Sequence, residues 1–284
     1  MASIINTNLN SLNAQRNTSS SQMSLAVSMQ RLSSGLRVNS AKDDAAGLAI
    51  AERMSAQIKG MNVAARNAND GISLAQTAEG ALGKVGESLQ RMRELAVQAR
   101  NATNSDGDKD SLDKEFQQLS KEITRVLGGT TFNGKAIIGS DAANLTFQIG
   151  ANTSENDIIE VSTTDMSNDG SITAVTGTGG TAVVIDSTTD VDKLATVIDD
   201  IDGAIDRVNT ERAVFGATQN RFDSVISNLQ VSVENQSAAK SRIMDADFAS
   251  ETSNLSRAQI LQQAGNAMIA QANQLPQQVL SLLR

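Results

Sequence analysis

Residues 191–233 read VDKLATVIDDIDGAIDRVNTERAVFGATQNRFDSVISNLQVSV, and this stretch decides the fold class. Val191, Leu194, Ile198, Ile201, Ile205, Val208, Arg212, Phe215, Gln219, Phe222, Ile226, Leu229 and Val233 follow one another at steps of three and four. Such steps fall on one stripe of an α-helix, because about 3.6 residues complete a turn. Only Arg212 and Gln219 interrupt the apolar seam, and Ser187-Thr188-Thr189-Asp190 supplies turn and capping residues ahead of it. The spacing predicts a long helix carrying a coiled-coil stripe.

A second long seam lies upstream, through Ile58, Met61, Ala65, Ala68, Ile72, Ala75, Leu82 and Leu89. Ala81, Val85, Met92, Leu95 and Ala99 form an adjoining stripe, and two stripes on one helix require more than one helical partner. Ser40-Ala-Lys-Asp43 has capping-box spacing and marks the start of this helix, just after Gly35 ends an earlier one. Asn101 to Gly107 is a turn cluster. Asp110 to Val126 reads as a third helix with Leu112, Phe116, Leu119, Ile123 and Val126 on one side, stopped by Gly128-Gly129.

From Thr130 to about Asp186 the period becomes two. Asn133-Gly134 is a hairpin-turn dipeptide, Leu145, Phe147 and Ile149 alternate, and Ile158-Ile159-Glu160-Val161 reads as a further strand. The run from Ser167 to Thr181 is mostly Gly, Ser, Thr and Asn, and is expected to be an exposed, variable connection. The fold class is therefore mainly α: long antiparallel coiled-coil-like helices from both ends of the chain, with a small β-hairpin region in the middle.

Composition narrows the chemistry. The 284 residues include no Cys, His, Trp or Tyr, only six Phe, and a net charge of -8. His/Cys zinc sites, thiol nucleophiles and Ser-His-Asp triads are excluded, and neither an enzyme nor a cofactor is expected. The acidic balance and lack of stacking aromatics argue against nucleic acid. No apolar run reaches the roughly 20 residues of a membrane span, and the opening residues lack the basic-then-apolar pattern of a cleavable signal. The acidic groups Asp43-Asp44 and Asp106, Asp108, Asp110 read as helix-start charges rather than a calcium loop.

The two ends are unusual. Residues 1–15 and 258–283 contain no charged side chain, yet both carry apolar residues at helical spacing. Ile5, Leu9, Leu12, Leu25, Met29, Leu32 and Leu36 make one set; Leu261, Ala264, Met268, Leu275, Val279 and Leu282 make the other. Their polar faces are Asn, Gln, Ser and Thr, whereas a solvated helix normally carries Lys and Glu. These helices are expected to be surrounded by other protein and to order on assembly, with Pro276 kinking or cutting the last turns.

Several long runs then bear a resemblance to one family. They are Ile4-Ile-Asn-Thr-Asn8, Leu12-Asn-Ala-Gln15, the run from Leu32 to Gly47, Asn69-Asp-Gly-Ile72, Gln90-Arg-Met-Arg-Glu-Leu-Ala-Val97, Thr131-Phe-Asn-Gly134, Phe147-Gln-Ile-Gly-Ala-Asn152, Gly216-Ala-Thr-Gln-Asn220 and the closing Ala270 to Arg284. Over essentially its whole length the chain resembles bacterial flagellin, the subunit of the flagellar filament, in a short form with almost no outer domain. The resemblance implies an inner terminal-helix domain of residues 1–38 with 244–284, which forms the filament core. It implies a surrounding helical-bundle domain of residues 39–243, with its β region at about 130–186 and its connection at about 167–181.

The implied function is structural. The chain would polymerise with itself into an extracellular helical propeller for swimming, exported by the flagellar type III route without a cleavable signal. An export chaperone would bind the C-terminal helices, and hook-associated and cap proteins would be further partners. Leu9, Leu12, Leu25, Met29, Leu32, Leu36, Leu261, Met268, Leu275, Val279 and Leu282 would form the polymerisation core. A polymorphic switch would lie in the hairpin of Phe132, Asn133, Gly134, Phe147 and Ile149. By resemblance, Arg91, Leu95 and Glu115 would meet the flagellin-sensing Toll-like receptor of animals. The nearest alternative function is a hook-filament junction protein.

Overall fold

A computed structural model describes the backbone of residues 7–177 and 183–282, and the side chains of the same residues apart from 275–282. Six helices carry most of it: α1 (Leu9–Ser34), α2 (Ala45–Ala99), α3 (Asp106–Gly129), α4 (Gly170–Thr176), α5 (Val191–Met244) and α6 (Phe248–Leu282). Four short strands lie between α3 and α4: β1 (Thr131–Phe132), β2 (Lys135–Ala136), β3 (Asn144–Gln148) and β4 (Ile158–Ser162). The mainly α class with a small β region is as the periodicity predicts. The chain forms two compact units, Met1–Ala56 with Glu234–Arg284, and Gln57–Val233, so α2 and α5 each contribute to both.

In the first unit α1 lies antiparallel along α6. Asn8 opens α1 by accepting from the Ser11 backbone N–H at 3.1 Å, and Gly35 closes it with φ +70°, a left-handed cap that favours glycine. Beyond the cap, Leu36 and Asp245 form an isolated antiparallel bridge, and Arg37 donates to the Ile243 carbonyl at 2.6 Å. α6 continues through Pro276 to Leu282, so the helix is not cut there. A proline this close to a helix end removes a single hydrogen bond from the ladder.

The second unit holds the core. Phe116, Phe215 and Phe222 are completely buried with Leu82, Leu89, Met92 and Ile123, so half of the few phenylalanines sit at its centre. α2 and α5 run antiparallel in it, with Gly71 beside Phe222 and Arg93 bonded to Asp202. α3 begins four residues earlier than the apolar period suggested. Ser105 and Asp108 form a reciprocal capping box that starts the helix at Asp106, and it runs on through Gly129. At the start of α2 the pair Ser40 and Asp43 instead closes a turn, and Asp44 accepts from the Gly47 backbone N–H at 2.7 Å as the helix begins.

The β region is two hairpins in two separate sheets. β1 and β2 are joined by Asn133 (φ 49°) and Gly134 (φ 81°), the left-handed pair that a tight two-residue turn needs. β3 pairs antiparallel with β4, Leu145 opposite Val161 and Phe147 opposite Ile159. The expected exposed connection at 167–181 is corrected by α4. Asp169 caps this short helix, and Ile172 and Val175 are buried in the core. Two apolar residues three apart within a Ser/Thr-rich run suffice to dock one helical face; residues 178–182 lie outside the described residues.

Gly71 separates packing from propensity. A Cβ there would lie 2.6 Å from the Phe222 ring, which stands edge-on to Phe147 at 5.5 Å, whereas a Cβ at Gly80 on the same helix meets nothing within 4 Å. Chemical unfolding is expected to show Gly71→Ala destabilised by about 1–3 kcal/mol and Gly80→Ala stabilised by about 0.5–1 kcal/mol. Equal effects at both positions would contradict this packing.

Candidate functional site

The α1/α6 pair is packed the wrong way round for a self-sufficient coiled coil. On α6, Glu251, Ala258, Gly265 and Ala272 recur every seven residues on the face toward α1, and three of the four are buried. From α1 come Ser11, Thr18 and Ser28, all buried. A Cβ at Gly265 would collide with Thr18 Oγ1, so the helices touch almost backbone to backbone at that level. Asn8 donates to the Ala272 carbonyl at 2.7 Å near one end, and Arg31 lies 3.8 Å from Glu251 toward the other.

Most of the described large apolar side chains are outside. Leu9, Leu12, Met23, Val27 and Met29 on α1, and Ile260, Leu261 and Met268 on α6, are exposed, Leu9 by 64% and Met268 by 58%. Leu25, Leu32 and Leu36 are half-buried. The side chains of Leu275, Val279 and Leu282 lie outside the described residues. A cleft of about 570 Å³ runs between the helices, lined by Asn10 and Asn13 of α1 and by Leu261, Met268 and Gln271 of α6. Another of the same size, flanked by Met23, Val27 and Arg257, shares Ser21 and Leu261 with it. Surface of this kind marks a protein-binding face.

Sequence reasoning named the Leu and Met residues but missed the small-residue seam. Its signal was present in the seven-residue recurrence from Glu251 to Ala272, and it was obscured because Ser, Ala, Gly and Thr do not register as a hydrophobic stripe.

The Arg91 face is built differently. Arg91 Nε donates to Glu115 Oε1 at 2.8 Å across to α3, and a second guanidinium nitrogen donates to Glu94 Oε2 at 2.8 Å. The bond to Glu115, then that to Glu94, raises the guanidinium above its ordinary pKa and keeps it charged. Arg91 and Glu115 are thus together and half exposed. Leu95 is corrected: it is 0% exposed, inside the core with Met92 and Phe116, and presents no surface to a partner. One helical turn from Arg91 along α2 leads inward, and the neighbour that does face out is Val97.

The five switch residues do not form one hairpin. Phe132, Asn133 and Gly134 belong to β1–β2, while Phe147 lies on β3 and Ile149 just beyond it. Asn133 and Gly134 are exposed at their turn, whereas Phe147 stacks edge-on against Phe222 of α5 and Ile149 is buried. Among the described residues there is no cluster of metal-ligating side chains, and no helix is long and apolar enough to cross a membrane.

Residues 5–142 match the bacterial flagellin N-terminal helical region, and residues 198–283 match the bacterial flagellin C-terminal helical region. The chain belongs to the bacterial flagellins. It is 47% identical to the flagellin of Halalkalibacterium halodurans over 99% of this chain and all of that one. The flagellin of Bacillus subtilis is 42% identical over 99% of this chain and 99% of its own length. Alignment with the flagellin of Serratia marcescens, 44% identical, extends over 352 positions, more than the 284 residues here, so that relative carries inserted residues. A structure described as a flagellar hook-associated protein from Vibrio parahaemolyticus shares the fold, with TM-score 0.60 at 13% identity over 72% of this chain and all of that one. The two matched helical regions leave residues 143–197 between them, which hold β3, β4 and α4.

Leu95→Ala and Arg91→Ala separate core from surface in this flagellin. Thermal unfolding is expected to show a loss of about 2–5 kcal/mol for Leu95→Ala and under about 1 kcal/mol for Arg91→Ala. A small effect at Leu95 would contradict its burial.

Proposed function

We propose that the chain polymerises into the extracellular flagellar filament through the outward apolar faces of α1 and α6, and that this helical homopolymer is its function. One observation carries the reading: the fully buried side chains between the two helices are mostly Ser, Thr and Ala, while most of the described Leu, Met, Val and Ile side chains are exposed. Burying a Leu or Met side chain fully is worth about 1.5–3 kcal/mol, so the pair keeps its largest favourable contacts for neighbours. Uncharged ends suit a lattice in which every subunit presents the same surface at every position. Residues 1–38 with 244–284 then form the filament core, and residues 39–243 the surrounding shell.

Partners follow from the same faces. The exposed Leu261 and Met268 of α6 supply the apolar surface that an export chaperone would mask before assembly. Hook-associated and cap proteins would meet the same terminal helices at the filament ends. For the host flagellin-sensing receptor the accessible groups are Arg91 and Glu115, with Leu95 shaping that surface from beneath. Arg91 has a forked donor set suited to such an interface, although part of it is already engaged by Glu115 and Glu94.

Seeded assembly followed by light scattering and negative-stain imaging tests the central claim. The intact chain is expected to give long filaments, and a truncation lacking residues 261–284 none. Leu12→Asp with Met268→Asp should raise the critical concentration by roughly tenfold or more, since a buried unpaired carboxylate costs several kcal/mol. An intact chain that stays monomeric under every seeding condition points instead to a hook-filament junction protein. For the switch, Gly134→Val strains the left-handed turn and is expected to lock the filament in one supercoil form. Unchanged supercoiling across substitutions at Phe132, Asn133 and Gly134 would remove this hairpin from the switch.

A further inference from the structure

Two positions interrupt the apolar seam of α5, Arg212 and Gln219, and they stand one heptad apart. Both turn to the same carboxylate on α2. Gln219 Nε2 donates to Glu79 Oε2 at 3.2 Å, and an Arg212 guanidinium nitrogen lies 3.6 Å from Glu79 Oε1. The antiparallel pairing of Gly71 with Phe222 and of Arg93 with Asp202 sets Glu79 level with Phe215, midway between its two partners. The layers next to it are alike: Ala75, Ala78 and Leu82 on α2, and Val208 and Phe215 on α5, are all buried and apolar, and the next position-specific contacts are Phe222 seated at Gly71 on one side and Arg93 with Asp202 on the other.

An apolar seam of repeating layers specifies its partner's face better than its partner's axial position, because a slide sets similar layers against each other. A polar side chain in such a seam has one good place. Here one carboxylate is held from both sides, so sliding α5 in either direction stretches one of the two contacts. Strength is not what the group supplies. The Glu79 and Arg212 side chains are about two-fifths exposed, at 39% and 41%, and ion pairs in that setting add little to stability. Arg212 Nε is buried with no hydrogen-bond partner among the described residues, a cost that an apolar side chain at 212 would avoid.

We propose that Glu79, Arg212 and Gln219 are the register stop of the α2/α5 pair, positioning residues that fix the axial length each subunit brings to the polymer. The effect on the filament rests on the assembly reading above; the stop itself is a property of the single chain. A seam completed with leucine at 212 and 219 would be as stable or more so, but would lose its unique register.

Because the chain has no cysteine, Ser73→Cys on α2 and Thr196→Cys on α5, both at exposed positions and well separated along the helix axis so that a slide changes their distance directly, can carry spin labels in the full-length protein. Pulsed dipolar spectroscopy of the monomer should give one narrow distance. Adding Arg212→Leu and Gln219→Leu is expected to introduce a second population displaced by a layer or more, roughly 5–10 Å at about 1.5 Å per residue, with no fall in the thermal midpoint. Glu79→Ala, which removes the shared acceptor alone, should broaden the distance in the same way and serves if the leucine variant does not fold. A single unshifted distance in these variants overturns the stop. Seeded assembly of the parent separates the two readings: filaments with an unshifted variant distance retain assembly and reject the stop, while no filaments with a shifted distance retain the stop and reject assembly.

Discussion

Everything in the terminal unit follows from a mismatch of size. α1 and α6 meet through Ser11, Thr18, Ser28, Ala258, Gly265 and Ala272, side chains with little apolar area to remove from water. Close approach gives good shape complementarity but a small burial term, and two helices of this kind would fray if left alone. Close approach also leaves many of the Leu, Met, Val and Ile residues exposed along both helices, Leu9, Leu12, Met23, Val27, Met29, Ile260, Leu261 and Met268 among them. The contacts that would make this pair stable are therefore contacts it cannot make with itself. An ordinary globular domain resolves such a surplus by folding another element over it; here the outward faces are left uncovered.

The second unit solves the opposite problem. With six phenylalanines and no Trp or Tyr in 284 residues, the core must be made dense from Ala, Leu, Ile and Val, and this is done by pressing helices together where glycine or alanine permits. Gly71 accepts the tip of the Phe222 ring, and Phe147 meets the same ring edge-on, so one aromatic side chain joins α2, α5 and β3. The edges are closed by directional bonds rather than area. Arg93 holds Asp202 with two hydrogen bonds, and Arg207 holds the α4 cap Asp169 at 2.8 Å while also reaching the buried Glu211. These pairs add orientation to a core whose apolar layers are otherwise much alike.

How much of this was legible depends on what periodicity can report. Steps of three and four identified α2, α3 and α5 and the change to period two located the hairpins, because repeated burial of one face leaves a repeated pattern. Periodicity names a stripe but not what covers it. Leu95 shows the limit of resemblance instead: the stripe through Val85, Met92 and Ala99 already set it against a helical partner, and its burial with Met92 and Phe116 excludes the surface role that the resemblance implied. The small-residue seam of α6 was hidden because burial there is achieved without hydrophobic side chains. α4 was hidden because its anchor is just Ile172 and Val175 behind the cap Asp169, a pattern too short to stand out from the Ser and Thr around it.

The absence of charge at both ends is the same constraint seen from the lattice. In a helical homopolymer any side chain is repeated at every subunit, so a charge at an interface meets its own copy a fixed step away unless an opposite charge is repeated with it. Arg31 and Glu251 are the tolerated case, since each subunit carries both members of the pair. Farther along the two helices, residues 1–15 and 258–283 use Asn, Gln, Ser and Thr, which donate and accept and can satisfy one another without a charge balance. The cleft between α1 and α6 is lined by Asn10 and Asn13 of α1 and by Gln271, Leu261 and Met268 of α6, amides and apolar groups together. Such a surface offers shape and hydrogen bonding rather than field, and two copies of it would not repel each other at a distance.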